Sequence, residues 1–300
     1  MTEKVEWLRR HADGLRRLLL REPRGHAGVR GAILTEAVMP GSHAGVIFMN
    51  GDGYTAMSGH GIIAVTTIAL ERGLVMPGGE GFGITFDTAA GTVRAEAVGT
   101  PERISRVAFV NVPSFVVQGG LPLRAVGRQI RVDIAFGGAF YAIVDSESVG
   151  LSIDAQHVPE LRRAGIEIAR SADALQTWAH PDDDHLTGIA GTVFTAPPRH
   201  EGSDLRNVTV SADGQVDRSP GGTATAAVMA VLDAMALLAD DRPFVHEGIV
   251  DTRLSGRFLR RTAVAGSEAI VCEISGSAWI TGEHTFLAAA DDPFREGLPD

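Results

Sequence analysis

The chain of 300 residues has little cysteine, few aromatic residues and no surplus of positive charge. Its single cysteine, Cys272, cannot form a disulfide within the chain, so we expect a reducing, cytoplasmic location. The formal net charge of −10 disfavours binding to nucleic acid or to an anionic membrane surface. No apolar run approaches the roughly 18 residues that a membrane-spanning helix needs. Charged residues interrupt the segment 1–20, which is therefore not expected to be a signal peptide.

Glycine, in contrast, is abundant at 36 residues, and hydrophobic residues make up 44% of the chain. This composition is typical of a globular protein with many turns and close approaches of the backbone. The length suits one large domain or two ordinary ones. A first helix is predicted over residues 4–20 from the spacing of its apolar side chains, which are Trp7, Leu8, Leu15, Leu18 and Leu19.

The rest of the chain follows one plan twice. In each half, short β-prone runs bounded by Gly, Pro and polar residues surround one long and almost wholly apolar helix. These two helices are predicted over residues 61–71 and 224–239, and a further helix over 156–171. We therefore expect an α+β fold of two similar lobes whose buried helices point at a shared cleft. The predicted strands include residues 31–34, 45–49, 82–87, 92–97, 105–110, 131–134, 140–143, 193–196, 207–210 and 278–280.

Both apolar helices start after a tight turn that contains glycine, at residues 57–61 and 219–223. A helix start carries unsatisfied N–H groups and a partial positive charge, so it binds carboxylates. Glycine lets a ligand approach the backbone there. Two such helix starts facing one another would hold a small acid between them. Ordinary helix starts with glycine-rich entry turns are the alternative that the spacing leaves open.

The residues at these helix starts resemble the catalytic motifs of the proline racemase family. The segment NGDGYTAMSGHGIIA, residues 50–64, is similar to the first motif, in which M-C-G-H supplies one acid/base. The segment VDRSPGGTATA, residues 216–226, is similar to the second, D-R-S-P-C-G-T-G-T. The resemblance covers nearly the whole chain, through further matches at EPRGHAG, FVNVPSFV, DIAFGGAFYA, SGSAWITGEHTF and DDPFREG.

The resemblance implies a diaminopimelate-epimerase-like fold with two pseudo-symmetric lobes and an active site in the cleft between them. We expect a first lobe of residues 1–128 plus 284–300, which carries Ser58, and a second of residues 129–283, which carries Asp217 and Gly221. The family's first strand, with an H-T-x-G segment, is expected to precede residue 1. The family also implies a small imino acid as substrate, no metal, no cofactor and a possible homodimer.

Two positions of the motifs depart from the racemase pattern. Racemases and 4-hydroxyproline epimerases of the family use two acid/bases, one on each face of Cα, and both are usually cysteine. Here the first position is Ser58 and the second is Gly221, which has no side chain to carry a proton. Elimination of a 3-hydroxyl needs only one base at Cα and help for the leaving group. The resemblance therefore favours the trans-3-hydroxy-L-proline dehydratase branch, whose members also replace the second cysteine.

The matching residues carry expected roles in binding the substrate. Backbone N–H groups of Gly59, Gly222 and Thr223 are expected to hold the carboxylate and the negative charge that builds there as Cα loses its proton. Asp217 is expected to bind the ring nitrogen by its match to the family motif. Pairing with a neighbouring charge, or capping of a turn, is the structural alternative for this aspartate.

Two residues carry the expected chemistry. Ser58 is expected to take the α-proton, with the helix dipole and His60 lowering the proton affinity of its hydroxyl; His60 could instead protonate the leaving hydroxyl. A plain N-cap is the alternative for Ser58, and a structural polar residue is the alternative for His60. Gly221 and Tyr54 are included among the substrate-binding residues, with core packing as the alternative for Tyr54.

Other residues with chemical potential are expected to be structural. The acidic and imidazole cluster over residues 180–185 is interpreted as a solvated loop rather than a metal site. Cys272 lies in an apolar, strand-like run and is interpreted as core. The glycines do not match a nucleotide-binding fingerprint. Beside the dehydratase, the sequence leaves open a racemase or epimerase that uses water or another residue as second base, and an inactive protein that binds an imino acid.

Overall fold

The computed structural model describes residues 1–77 and 81–298 and has the predicted α+β architecture. Its contacts divide the chain into two compact units, one of Met1–Phe109 with Ser277–Asp300 and the other of Val110–Gly276. The boundaries between the units lie after Phe109 and after Gly276, whereas the sequence analysis expected them after residues 128 and 283. One reason is the strand Phe115–Ala125, which the sequence did not reveal and which pairs with the next strand inside the second unit.

The first unit begins with two helices, α1 (Thr2–His11) and α2 (Asp13–Leu20). The prediction of one continuous helix over 4–20 is wrong because Ala12 lies between them with φ −141° and ψ 20°, outside the helical region. The break turns α2 so that the buried Arg16 donates to the carbonyl of Asn50 at 3.0 Å. This contact ties α2 to the loop that leads into the first motif.

A mixed sheet forms the body of the first unit, in the order β1-β2-β4-β5-β6, with β3 paired to β2. Strands β2 and β4 run parallel, and the hairpin β4–β5 is antiparallel. Five of these six strands were predicted, with ends that differ by at most three residues. The strands are β1 (Gly31–Thr35), β2 (Ala44–Met49), β3 (Tyr54–Thr55), β4 (Phe82–Thr88), β5 (Gly91–Thr100) and β6 (Arg103–Val110).

Helix α3 (Gly59–Glu71) is the apolar helix of the first unit, and most of its residues are buried. It begins two residues before the predicted start because Ser58 caps it there. Its apolar side chains face in nearly every direction, as expected for a helix enclosed by the sheet that surrounds it. The buried set includes Ile62, Ile63, Val65, Ala69 and Leu70.

The second unit repeats this plan at larger size. Its main sheet has the order β16-β15-β14-β13-β12-β9-β8-β7, with β9–β12 and β13–β14 parallel. Helix α4 (Val158–Asp173) packs on β12 and β13, and helix α5 (Gly222–Ala234) is the buried apolar helix. The strands are β7 (Phe115–Ala125), β8 (Arg128–Phe136), β9 (Phe140–Asp145), β10 (Ala179–His180), β11 (Asp183–Thr187), β12 (Ile189–Ala196), β13 (Leu205–Ser211), β14 (Phe244–Gly248), β15 (Arg253–Val264) and β16 (Ser267–Gly276).

Three further predictions differ from the structure. Helix α5 stops at Ala234 rather than at residue 239, because Ala236 takes a left-handed φ of 57° that a helix cannot continue. Residues 278–280 form no strand, and the exposed Trp279 lies instead with its ring 5.4 Å from the Arg103 guanidinium. The expected loop after Pro181 is wrong, because β10 and β11 pair there as a two-stranded sheet.

The turn between β8 and β9 passes very close to α5. A Cβ on Gly137 would lie 2.2 Å from the carbonyl oxygen of Thr223 and 2.6 Å from the backbone nitrogen of Ala227. We therefore expect Gly137→Ala to lower the free energy of unfolding by about 1–3 kcal/mol, since backbone must shift to admit the methyl group. Chemical denaturation measures this loss. Gly119→Ala is the control, because its nearest contact is an Asp133 oxygen at 3.7 Å; equal stability of both variants would contradict the prediction.

Candidate active site

Ser58 is the N-cap residue of α3. Its backbone is extended, with φ −144° and ψ 110°, and its Oγ accepts a hydrogen bond from the Gly61 N–H at 3.2 Å. The helix dipole and this N–H both favour negative charge on Oγ. The same position of the Ser58 hydroxyl therefore allows it both to cap the helix and to transfer a proton.

A cavity of about 480 Å³ inside the first unit opens onto Ser58 and His60. The structure thus brings together the two side chains that were expected to carry the chemistry. Apolar walls reduce screening by water, so charges next to Ser58 interact more strongly there than at an exposed surface. Polar lining also comes from Arg30 and Thr55, and the apolar wall includes Leu34, Phe48, Met49, Ala64, Val65 and Leu74.

Tyr54 does not line this cavity. Its ring lies 5.9 Å from the Arg16 guanidinium, and burial together with the nearby Asp13 carboxylate raises the pKa of its phenol. Asp13 in turn accepts from Arg16 at 2.7 Å. Tyr54 is half-buried and faces charged side chains of α2, so it is not part of the core, and its contact with substrate stays a prediction.

The start of α5 differs from that of α3 because its N-cap residue has no side chain. Gly221 has φ 78° and ψ 125°, a region that favours glycine, and its N–H donates to Ser219 Oγ at 3.1 Å. Gly222 and Thr223 follow in the first turn, where N–H groups have no helical acceptor. The geometry matches the expected carboxylate-binding helix start, and binding itself stays a prediction.

One side-chain pair and one backbone hydrogen bond orient the residues around this helix start. Thr223 Oγ1 and the Tyr141 hydroxyl form a hydrogen bond of 2.7 Å, which fixes Thr223 against β9. The Asp217 N–H donates to the Thr209 carbonyl at 2.9 Å, and Asp217 Oδ2 lies 3.8 Å from the position that a Cβ on Gly221 would occupy. The structure therefore places Asp217, Gly221, Gly222 and Thr223 together, as expected from the motif.

Sequence reasoning missed Thr209 and Tyr141 at this helix start. Thr209 is 4% exposed, and its Oγ1 lies 3.8 Å from the same Cβ position at Gly221. Both residues lie in β-prone runs, where threonine and tyrosine are common, so composition alone does not distinguish them. Their position near this helix start becomes apparent only from the way β13 and β9 pack against α5.

The remaining candidates lie apart from these residues. Cys272 is fully buried in β16, and burial raises the pKa of its thiol to about 12, so the interpretation as core is confirmed. Within residues 1–77 and 81–298, one trio of His200, Glu247 and Asp251 has potential metal-ligand atoms within 4.8 Å of one another. Arg206 forms ion pairs with Glu247 and Asp251, the two carboxylates of this trio, and so competes with any cation. Among the described helices, none has the length and apolar content needed to cross a bilayer.

The fold is shared with solved enzymes described as a probable proline racemase and a hydroxyproline epimerase. A solved hydroxyproline epimerase from Agrobacterium vitis, with bound trans-4-hydroxy-L-proline, superposes with a TM-score of 0.88 at 30% identity, over 99% of this chain and 86% of its own. This likeness confirms the predicted two-lobed fold. The proline racemase family model matches residues 1–299, and the chain belongs to that family.

Curated relatives include both lyases and isomerases. The trans-3-hydroxy-L-proline dehydratase of Bacillus cereus is 41% identical over 296 residues, which is 99% of this chain and 89% of that protein. The proline racemase of Acetoanaerobium sticklandii is 34% identical over 300 residues, which is 99% of this chain and 90% of that protein. The chain is therefore an enzyme of a family that includes both activities.

Proposed function

We propose that the protein dehydrates trans-3-hydroxy-L-proline to pyrroline-2-carboxylate with acid/base groups on one face of the substrate. The observation that carries this proposal is the asymmetry between the two helix starts. Ser58 presents a hydroxyl at the start of α3, whereas Gly221 at the start of α5 has no side chain. The identity of 41% to a named dehydratase supports the same choice.

The stereochemistry of this substrate explains why one face suffices. In trans-3-hydroxy-L-proline the hydroxyl is trans to the carboxylate, and the α-hydrogen is also opposite the carboxylate. The α-hydrogen and the leaving hydroxyl therefore lie on the same face of the ring. A proton acceptor and a proton donor on that face complete the elimination, whereas inversion of Cα needs a proton delivered from the other face.

Ser58 and His60 are the proposed acceptor and donor. They lie two residues apart and line the same cavity. In the proposed sequence, His60 accepts the Ser58 hydroxyl proton as Ser58 Oγ removes the α-proton. The C–H electron pair becomes the Cα–Cβ double bond, the C3–O bond breaks, and His60 returns its proton to the departing hydroxyl, which leaves as water. The resulting enamine then tautomerises to the ketimine.

The motif residues are also proposed to bind the substrate. The N–H groups of Gly59, Gly222 and Thr223 hold the substrate carboxylate, where helix dipoles also stabilise the charge formed on deprotonation. Asp217 accepts from the ring nitrogen. Gly221 leaves backbone open to the substrate, and Tyr54 supports the first motif from β3.

The test is to incubate the purified protein with trans-3-hydroxy-L-proline, trans-4-hydroxy-L-proline and L-proline. We expect pyrroline-2-carboxylate from the 3-hydroxy compound alone, at an ordinary enzymatic rate on the order of 1–1000 per second. Fast inversion of the other two without ketimine would establish an epimerase or racemase instead. Calorimetric binding with no turnover of any of the three would indicate an inactive imino-acid-binding protein.

A further inference from the structure

A buried amide on β13 holds the turn that leads into α5. Asn207 is fully buried, and its Nδ2 donates to the Pro220 carbonyl at 2.8 Å. Its Oδ1 has no hydrogen-bond partner among the described residues. A buried acceptor without a partner costs stability, so the N–H group is the part of this amide that contributes. It contributes at the residue directly before the N-cap Gly221.

The neighbouring strand β14 shapes the same turn. Gly248 is the register partner of Asn207 across the parallel pair β13–β14. A Cβ on Gly248 would lie 3.1 Å from the Pro220 Cδ and 3.2 Å from the Arg218 carbonyl oxygen. Only a residue without a side chain lets the turn approach the strand so closely. The two strands therefore fix Pro220 through one hydrogen bond and one close packing contact.

The hydrogen bond from Asn207 sets the direction of the Pro220–Gly221 peptide. In a trans peptide the C=O and the N–H point in opposite directions. With the Pro220 carbonyl held by Asn207, the Gly221 N–H points away from that amide and donates to Ser219 Oγ at 3.1 Å. A carboxylate is a stronger acceptor than this hydroxyl and can take its place. Rotation of the peptide would change the Gly221 φ of 78° and present a carbonyl oxygen, which repels a carboxylate.

We propose that Asn207 is a positioning residue of the second motif. It keeps the Pro220 carbonyl turned away from the start of α5, so that the Gly221 N–H joins those of Gly222 and Thr223 in binding the substrate carboxylate. Asn207 acts through the backbone and does not touch the substrate. The inference rests on the proposed function for its ligand, and the contacts that support it all lie within the second unit.

The main test replaces Asn207 with leucine, which has a similar shape but no N–H to donate. Isothermal titration calorimetry should show the Kd for L-proline rising at least about tenfold, as expected when one hydrogen bond to a charged group is lost. The carboxylate is charged both before and after the α-proton leaves, so this N–H acts mainly in binding. The KM for trans-3-hydroxy-L-proline should therefore rise by a similar factor, while kcat changes far less.

Asn111→Leu is the matched control. Asn111 is 3% exposed, its Nδ2 donates to the Gly137 carbonyl at 2.9 Å, and its Oδ1 also lacks a partner within the part of the chain that the structure describes. Its acceptor lies outside the second motif. Both leucine variants should lose similar thermal stability, but only Asn207→Leu should weaken L-proline binding. A crystal structure of Asn207→Leu should show the Pro220 carbonyl turned away from β13.

Ser219→Ala tests the same N–H group at a half-buried residue, whose replacement leaves the packing of the turn intact. Because it removes the hydroxyl that the carboxylate has to displace, the Kd for L-proline should fall by about two- to fivefold. Weaker binding in Ser219→Ala would show that the ligand meets the serine hydroxyl instead and would overturn the inference.

Equal L-proline binding by wild type and Asn207→Leu would also overturn the inference, as would equal weakening in the two leucine variants or no binding by wild type. Formation of ketimine from trans-3-hydroxy-L-proline by wild type would show, in each of these cases, that the proposed function itself stands. Selective weakening in Asn207→Leu without ketimine from wild type would support the positioning role and contradict the proposed function.

Discussion

Replacing Ser58 with asparagine is expected to abolish dehydration of trans-3-hydroxy-L-proline while leaving helix α3 intact. Asparagine caps a helix about as well as serine, so it retains the acceptor for the Gly61 N–H. It has no hydroxyl that takes up and releases a proton. We expect kcat to fall about 10²–10⁴-fold, the usual contribution of a positioned general base. Initial rates of ketimine formation measure this loss.

Companion variants separate proton transfer from capping. Ser58→Cys keeps an ionisable group and should retain substantial activity, whereas Ser58→Ala loses both the hydroxyl and the cap. Ser148→Ala is the matched control, because the Ser148 hydroxyl donates only to the exposed Asp145 carbonyl. L-Proline binding by calorimetry should be similar in wild type and in all four variants. If Ser58→Asn turned over substrate as fast as wild type, Ser58 would serve only as the helix N-cap, and the proposed mechanism would be wrong.

The sequence predicted the helices and strands that have a strong apolar pattern. The predictions failed where backbone conformation determines where an element ends or whether it forms. The apolar runs of α3 and α5 revealed two buried helices. The end of α5 depends on the left-handed Ala236, and alanine carries no signal for that conformation. Strand β7 was missed because Gly119, Gly120 and Pro122 interrupt its alternation, yet it pairs with β8 across irregular register.

The sequence likewise predicted some residues of the candidate site and not others. The motifs located Ser58, Asp217 and Gly221, because catalytic spacing is local in the chain. Thr209 was not predicted, because its relation to Gly221 depends on the N–H of Asp217 pairing back onto β13. Tyr54 is near the first motif in sequence, but its ring turns to Arg16 instead of the cavity. Proximity along the chain therefore does not show where a side chain points.

Arg206 in the second unit holds a buried ion cluster, and its loss is expected to have the largest effect on stability. Its guanidinium is 3% exposed and pairs with Glu247, which is fully buried, and with Asp251 at 2.7 Å. It also donates to the carbonyls of Ile153 at 2.9 Å and Ile249 at 2.8 Å. Thus one side chain ties β13 to the loop after β14 and to the segment before α4.

We expect Arg206→Met to lower the free energy of unfolding by about 3–5 kcal/mol at neutral pH, because it leaves a buried carboxylate unpaired. Urea denaturation measures this change. The control is Arg257→Met, whose exposed pairing with Glu273 at 3.2 Å should contribute less than about 1 kcal/mol. The double variant Arg206→Met/Glu247→Gln should recover part of the loss, since it removes the unpaired charge. Equal stability of the two single variants would contradict the prediction.

The effect of Arg206 should also depend on pH. Burial raises the pKa of Glu247, but the His200 N–H and the Arg206 guanidinium outweigh it and lower the pKa to about 2, from an ordinary 4.5. A carboxyl with a lowered folded-state pKa stabilises the protein above its unfolded pKa, and that contribution is lost as pH falls from about 4.5 towards 2. In Arg206→Met the unpaired carboxyl instead gains from protonation. The stability gap between wild type and variant should therefore narrow from pH 7 to pH 3, and a constant gap would show that the ion pair is not its source.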